Sequence, residues 1–191
     1  MEIASARNQL WEKVQRVSPA TFEPLALEIF RYQAAFNPLY ARYLELLGVS
    51  PGEIGRLEDV PFLPIQFFKR YAIKSGDWQE EAVFSSSGTT GAATSRHYVR
   101  HLQNYLDNTR RGFRHFYGDP EQYCILALLP SYLERAGSSL ISMAGHFIAR
   151  SPYPQSGFFL YNTQALLRII EACHKKHIPV LLLGVSFALL D

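Results

Sequence analysis

The sequence predicts an α/β protein: a helical N-terminal region followed by βαβ units forming a mainly parallel sheet. Three observations carry that expectation. Helix start and stop signals fill the first third, and no strand pattern occurs before about residue 80. Beyond that point, apolar strand-like runs alternate with segments of helical period. Hydrophobic residues make up 48% of the 191, and aromatics 14%, which suits one substantial core or part of a larger domain and excludes a disordered tail.

In chain order, helices are expected over 6–17, over 22–36 behind a Thr21 N-cap, and over 38–47, the last closed by Gly48. In the second of these, Leu25, Ile29, Tyr32 and Phe36 recur at spacings of three and four, which marks an apolar face. The segment from Val60 to Ile73 is rich in proline and aromatics. Pro61 and Pro64 delay any helix until about Ile65, so this stretch reads as the link to a sheet. A strand is expected over 82–86, helix over most of 98–117, and a buried strand over 122–129. Helix over 138–150, strand over 157–161, helix over 163–176 and strand over 180–184 complete the alternation. The domain division is therefore a helical region, 1–58, and an α/β region, 59–191. The run Val180–Gly184 is followed by an apolar stretch without a helix stop signal, which reads as a domain that continues past Asp191.

A formal net charge of +2 with 19% charged residues gives no excess that would mark a nucleic-acid or membrane-surface protein. The N-terminus lacks the apolar run of a secretory signal, and nothing approaches the roughly 18 apolar residues of a spanning helix. The expectation is a soluble cytoplasmic protein with no nucleic-acid partner and no membrane span. Cys124 and Cys173 are too few for a disulfide framework or a metal site and read as buried thiols.

The chemically informative stretch is Ser86-Ser87-Gly88-Thr89-Thr90-Gly91, which leaves a predicted strand. Gly88 and Gly91 allow backbone N–H groups to turn toward an anion, and the four hydroxyl residues add donors that can follow a polyphosphate. No lysine follows Gly91, so this is not the Gly-x-x-x-x-Gly-Lys-Ser/Thr loop. The competing reading is a plain surface loop.

The segment from Ser86 to Gly91 resembles the phosphate-binding loop of the adenylate-forming superfamily. Within that superfamily the chain is similar to the LuxE-type acyl-protein synthetases. The similarity extends through Pro61-Phe-Leu-Pro-Ile-Gln-Phe-Phe-Lys69, Ser95-Arg96-His97, Pro130-Ser-Tyr-Leu-Glu-Arg-Ala-Gly-Ser-Ser139 and Leu183-Gly-Val-Ser-Phe187. It implies part of an adenylate-forming (acyl-CoA synthetase-like) N-terminal domain. The implied reaction is ATP-dependent activation of a fatty acid to its acyl adenylate, then transfer to a protein cysteine. Implied cofactors are ATP and Mg, the metal ligands being expected outside this chain. Implied partners are a fatty acid or other carboxylate, an acyl reductase, or further copies of the chain.

Where the superfamily carries a lysine soon after the loop, Ala92, Ala93, Thr94 and Ser95 stand here, and Arg96 or Arg100 is the candidate source of positive charge. The family's remaining adenine, ribose and acyl-accepting motifs are expected beyond Asp191, and neither cysteine matches the acceptor. The 191 residues alone are therefore expected to complete no catalytic cycle.

Three positions at expected strand ends are candidates for the substrate pocket: Tyr132, Gly184 and Ser186. Each has a packing alternative, a turn aromatic for Tyr132 and core filling for the other two. Ser138 and Ser139 read as helix caps rather than acyl contacts. His97 reads as structural or solvated, with phosphate donation as the alternative. Arg110, Arg111 and Arg114, near Asp107 at helical spacing, read as a solvated face with local ion pairs, with a docking patch for a partner enzyme as the alternative. The competing functions are a catalytically incomplete nucleotide-binding or interaction module, and an acyl- or aryl-CoA ligase.

Overall fold

The computed structural model describes residues 3–86, 94–129, 137–159 and 162–185. It is a mixed α/β chain with a small parallel sheet and flanking helices. The elements are α1 (Ile3–Gln15), α2 (Pro19–Phe36), α3 (Pro38–Leu46), α4 (Phe67–Arg70), β1 (Ala82–Ser85), β2 (Arg96–Val99), α5 (Leu102–Tyr117), β3 (Cys124–Leu128), α6 (Ser139–Arg150), β4 (Gly157–Phe159), α7 (Thr163–Lys175) and β5 (Val180–Gly184). Short 3-10 turns lie at Leu57–Asp59 and Pro120–Gln122. Strands β1 and β2 form a two-stranded sheet, and a three-stranded sheet has the order β4-β3-β5. The described residues divide into two compact units, one holding 3–79 with 94–98, the other 80–86 with the residues from Val99 onward.

The first unit is helical. Helix α2 begins three residues earlier than expected, with Ser18 rather than Thr21 as its N-cap. Pro19 fits the first helical position, where its missing N–H costs nothing, and Thr21 Oγ1 turns back to accept the Ser18 N–H at 2.9 Å. The buried stripe also differs from the expected one. Of the expected face Leu25 is buried, whereas Ile29, Tyr32 and Phe36 are only half-buried, and Leu27, Phe30 and Ala34 enter a core with Tyr40, Leu44 and Val60. Periodicity alone selected one apolar face, but α2 has two, because it packs on both α1 and α3. Asn37 joins α2 to α3 without a loop: its N–H donates to Gln33 O at 2.8 Å and its Oδ1 accepts the Tyr40 N–H at 3.2 Å. Gly48 closes α3 at φ +66°, as expected, because an L side chain is strained there.

The second unit holds the parallel sheet. Strand β3 is central and buried along its whole length, paired parallel to β4 on one side and to β5 on the other. Its side chains alternate. Cys124, Leu126 and Leu128 pack with Leu166 and Cys173 of α7, while Ala127 and Leu129 pack with Ala144 of α6. Aliphatic residues on both faces are what a parallel strand covered by helices requires. Helix α6 starts as expected, with Ser138 Oγ accepting the Ile141 N–H at 3.3 Å. Strand β2 departs from expectation. Tyr98 and Val99 were read as the start of a helix, but the buried Val99 is strand, its carbonyl accepting the Glu81 N–H at 2.9 Å.

Candidate functional site

Because β4, β3 and β5 run parallel and in register, their carboxyl ends lie level: Leu128 pairs with Phe159 on one side and with Gly184 on the other. Open α/β sheets present ligands at this edge, where strand-to-helix loops depart together. Gly184, the sequence-predicted candidate on β5, therefore sits beside the end of the central strand and is half-buried. Tyr132 and Ser186 lie outside the described residues.

Ser86 directly follows β1 and is exposed. Ser87, Gly88, Thr89, Thr90 and Gly91 lie outside the described residues. Arg96 opens β2 and is exposed, and so is His97. The base of the candidate phosphate loop is held at β1, where Phe84 is buried with its ring centroid 4.8 Å from that of Tyr105 on α5. The adjoining Ser85 N–H donates to Gly137 O at 2.9 Å. Gly137 has φ +85°, and a Cβ built there would stand 2.7 Å from the Val83 carbonyl oxygen. Only glycine allows this approach. The chain that departs beyond Leu129 thus returns at Gly137 onto the strand that leads into Ser86. Tyr105 secures the next step, donating its hydroxyl to the Ser139 carbonyl at 3.0 Å. Burial holds the Tyr105 phenol above its ordinary pKa, with the Ser139 bond opposing.

The polar network of this unit lies between α5, α6 and the turn at Pro120–Gln122. Arg110 bonds Asp119 at 2.8 Å and approaches Glu121 at 3.2 Å, and Arg150 Nε donates to Glu121 at 2.7 Å. Asp107, the partner suggested by sequence spacing, instead accepts from Gln103 at 2.8 Å. Arg110 is turned to the half-buried side of α5, where the turn supplies its carboxylates. Arg111 and Arg114 are exposed. His146 of α6 lies near this network, with its Nε2 buried and without a hydrogen-bond partner. Burial first, then the charge of Arg150, pushes its pKa below the ordinary histidine value.

Sequence reasoning missed Glu81 and Gly137. Glu81 acts on α5 across 21 residues, with no local spacing to reveal it. Gly137 lies in the Pro130–Ser139 segment, whose serines drew attention instead. Both cysteines are buried thiols as expected, and Cys124 is pushed up to about 11, by burial first and then by its Cys173 neighbour.

Among the described residues, no group of three or more His, Cys, Asp or Glu is arranged to hold a metal ion, and no helix is long and apolar enough to cross a membrane. Comparison of the chain with protein-family models, with characterised proteins and with solved structures found no match.

Proposed function

We propose that the chain carries the acyl-activating chemistry of the adenylate-forming ligases, as part of the N-terminal domain of an acyl-protein synthetase. ATP-dependent activation of a fatty or other carboxylic acid gives an acyl adenylate, and the acyl group then passes to a protein cysteine. A carboxylate oxygen attacks the α-phosphorus of ATP, the bond to the β-phosphate bridging oxygen breaks, and pyrophosphate leaves. A cysteine thiolate then attacks the acyl carbonyl and AMP departs. The first step turns a poor acyl donor into one with a phosphate leaving group. Ser86, Ser87, Gly88, Thr89, Thr90 and Gly91 hold the β- and γ-phosphates, and Arg96 supplies positive charge in place of the absent lysine. Tyr132, Gly184 and Ser186 line the acyl side. ATP is used with Mg, whose ligands are expected elsewhere, and the reaction belongs in the cytoplasm with an acyl reductase as the receiving partner.

The supporting observation is local. The hydroxyl-rich run starts at the end of β1, a strand tied at Ser85 to Gly137, where the Pro130–Ser139 motif rejoins the described fold. Ser86 and Gly137, one residue from each of two segments behind the resemblance, thereby lie at one strand. The test is fatty-acid-dependent exchange of labelled pyrophosphate into ATP by the protein carrying these residues, followed by a comparison of coenzyme A with a protein thiol as acceptor. Exchange with transfer to protein supports the proposal. Transfer to coenzyme A redirects it to an acyl- or aryl-CoA ligase, and absence of exchange leaves a nucleotide-binding or interaction module.

A further inference from the structure

We infer that the first unit binds a small uncharged molecule, an apolar body carrying one hydrogen-bond acceptor, in a cavity between α2, the joint at Asn37 and the segment 57–73. The cavity measures about 360 Å³. That is within the range of sites that hold small ligands. The described residues that line it all fall between positions 22 and 73, inside one compact unit.

The walls define the chemistry of the occupant. Among the described residues that line the cavity, ten are apolar, Ile29, Phe30, Val60, Leu63 and Phe68 among them, and three are polar, Gln33, Asn37 and Tyr40. None of them is a lysine, arginine, histidine, aspartate or glutamate. An ionised ligand would leave water there and meet no opposite charge, whereas aromatic or aliphatic carbon is matched on most sides.

The polar residues supply the one specific contact. Tyr40 spends its hydroxyl on the Pro61 carbonyl at 2.7 Å. Asn37 is only 5% exposed, and its Oδ1 is taken by the Tyr40 N–H at 3.2 Å. Its Nδ2 donates to no acceptor among the described residues. A buried amide N–H without a partner is costly, and a carbonyl, ether or hydroxyl oxygen on the bound molecule removes that cost. The inference does not rest on the acyl-activation proposal, whose candidate residues begin at Ser86, beyond this segment.

The experiment is an equilibrium titration of the 191-residue chain with naphthalenes of matched shape. Acetylnaphthalene carries a neutral carbonyl acceptor, ethylnaphthalene carries none, and naphthoate carries a charged one. The ketone should bind saturably, the hydrocarbon roughly tenfold more weakly, and naphthoate most weakly. Ala26→Phe, which places a ring on the cavity wall, should abolish binding of the ketone, and Phe116→Lys on α5 should leave it unchanged. Saturating ketone should slow hydrogen exchange in α2 and α3 of the wild type, and this measurement decides the matter if Ala26→Phe fails to fold. No saturable binding of the ketone, as when the chain itself fills the cavity, overturns the inference. So does naphthoate bound as tightly as the ketone, or binding that leaves exchange in α2 and α3 unchanged.

Discussion

The Glu81 carboxylate accepts the Leu102 backbone N–H at 2.8 Å, so α5 is closed at its amino end by a residue 21 positions earlier in the chain. His101, the residue in the N-cap position, supplies no side-chain cap of its own, and its Nδ1 instead lies 3.1 Å from Glu81 Oε1. The Leu102 N–H bond and then the His101 contact hold the Glu81 carboxyl below its ordinary pKa.

A carboxylate with a lowered folded-state pKa stabilises the fold above its unfolded value, and the contribution is lost as pH falls through the folded value. Glu81→Ala should therefore lower the melting temperature at neutral pH and show a shallower acid limb than the wild type. Melting curves from about pH 3 to about pH 7 test this, and parallel curves for the two proteins would refute the capping role.

His146 acts in the same direction on pH, but here it is the neutral form that the fold favours. With its folded pKa below the ordinary value, the unfolded chain takes up the proton first, so stability should fall as pH drops below about 6.5. Arg150 and Arg110 oppose protonation, and Asp107 and Glu121 favour it, with burial the largest influence. Replacing His146 with Gln should flatten the dependence of the denaturation midpoint on pH in this range. An unchanged slope would assign the acid sensitivity to other groups.

Gly137→Ala should destabilise the second unit. An alanine there is held at φ +85°, and its Cβ meets the Val83 carbonyl oxygen at 2.7 Å. The left-handed conformation alone costs about 1–3 kcal/mol. Gly118→Ala is the comparison, since φ is +81° there too, but the nearest atom is the tip of the Gln122 side chain at 3.1 Å. Urea denaturation should show the larger loss for Gly137→Ala. Equal losses would mean that the approach to Val83 relaxes at no cost.

If the proposed function holds, Thr89→Ala with Thr90→Ala should raise the ATP requirement roughly tenfold through loss of two hydroxyl donors, leaving the melting curve unchanged. Arg96→Ala should act in the same direction, and more strongly than Arg111→Ala on exposed α5. Undiminished pyrophosphate exchange in the threonine variant would remove the loop from the chemistry.

Strand β3, strand β5, helix α6 with its Ser138 cap and the burial of both cysteines were legible from residue patterns. In each case the determinant is local: an aliphatic run, a hydroxyl before a helical repeat, a thiol among apolar neighbours. What escaped depended on partners distant in sequence. Tyr98 and Val99 look compatible with a helix until Glu81 is beside Val99. The buried stripe of α2 is decided by Val60 and Tyr40, which its own periodicity does not contain. Ser86 and Gly184, candidates placed at expected strand ends, do stand at the ends of β1 and β5, whereas Gly137 acquires meaning only beside Val83 and Ser85.

The two thiols offer a clock for the breathing of the native state. Cys124 and Cys173, 0% and 2% exposed, are the only cysteines in the chain and belong to the same cluster between β3 and α7. A thiol reagent in solution reaches them only when that seam parts, so the labelling rate counts openings of the sheet against its helix. Modification of both sulfurs in a single kinetic phase would mean that strand and helix separate as one cooperative unit. Two phases would mean that α7 lifts before β3 is released.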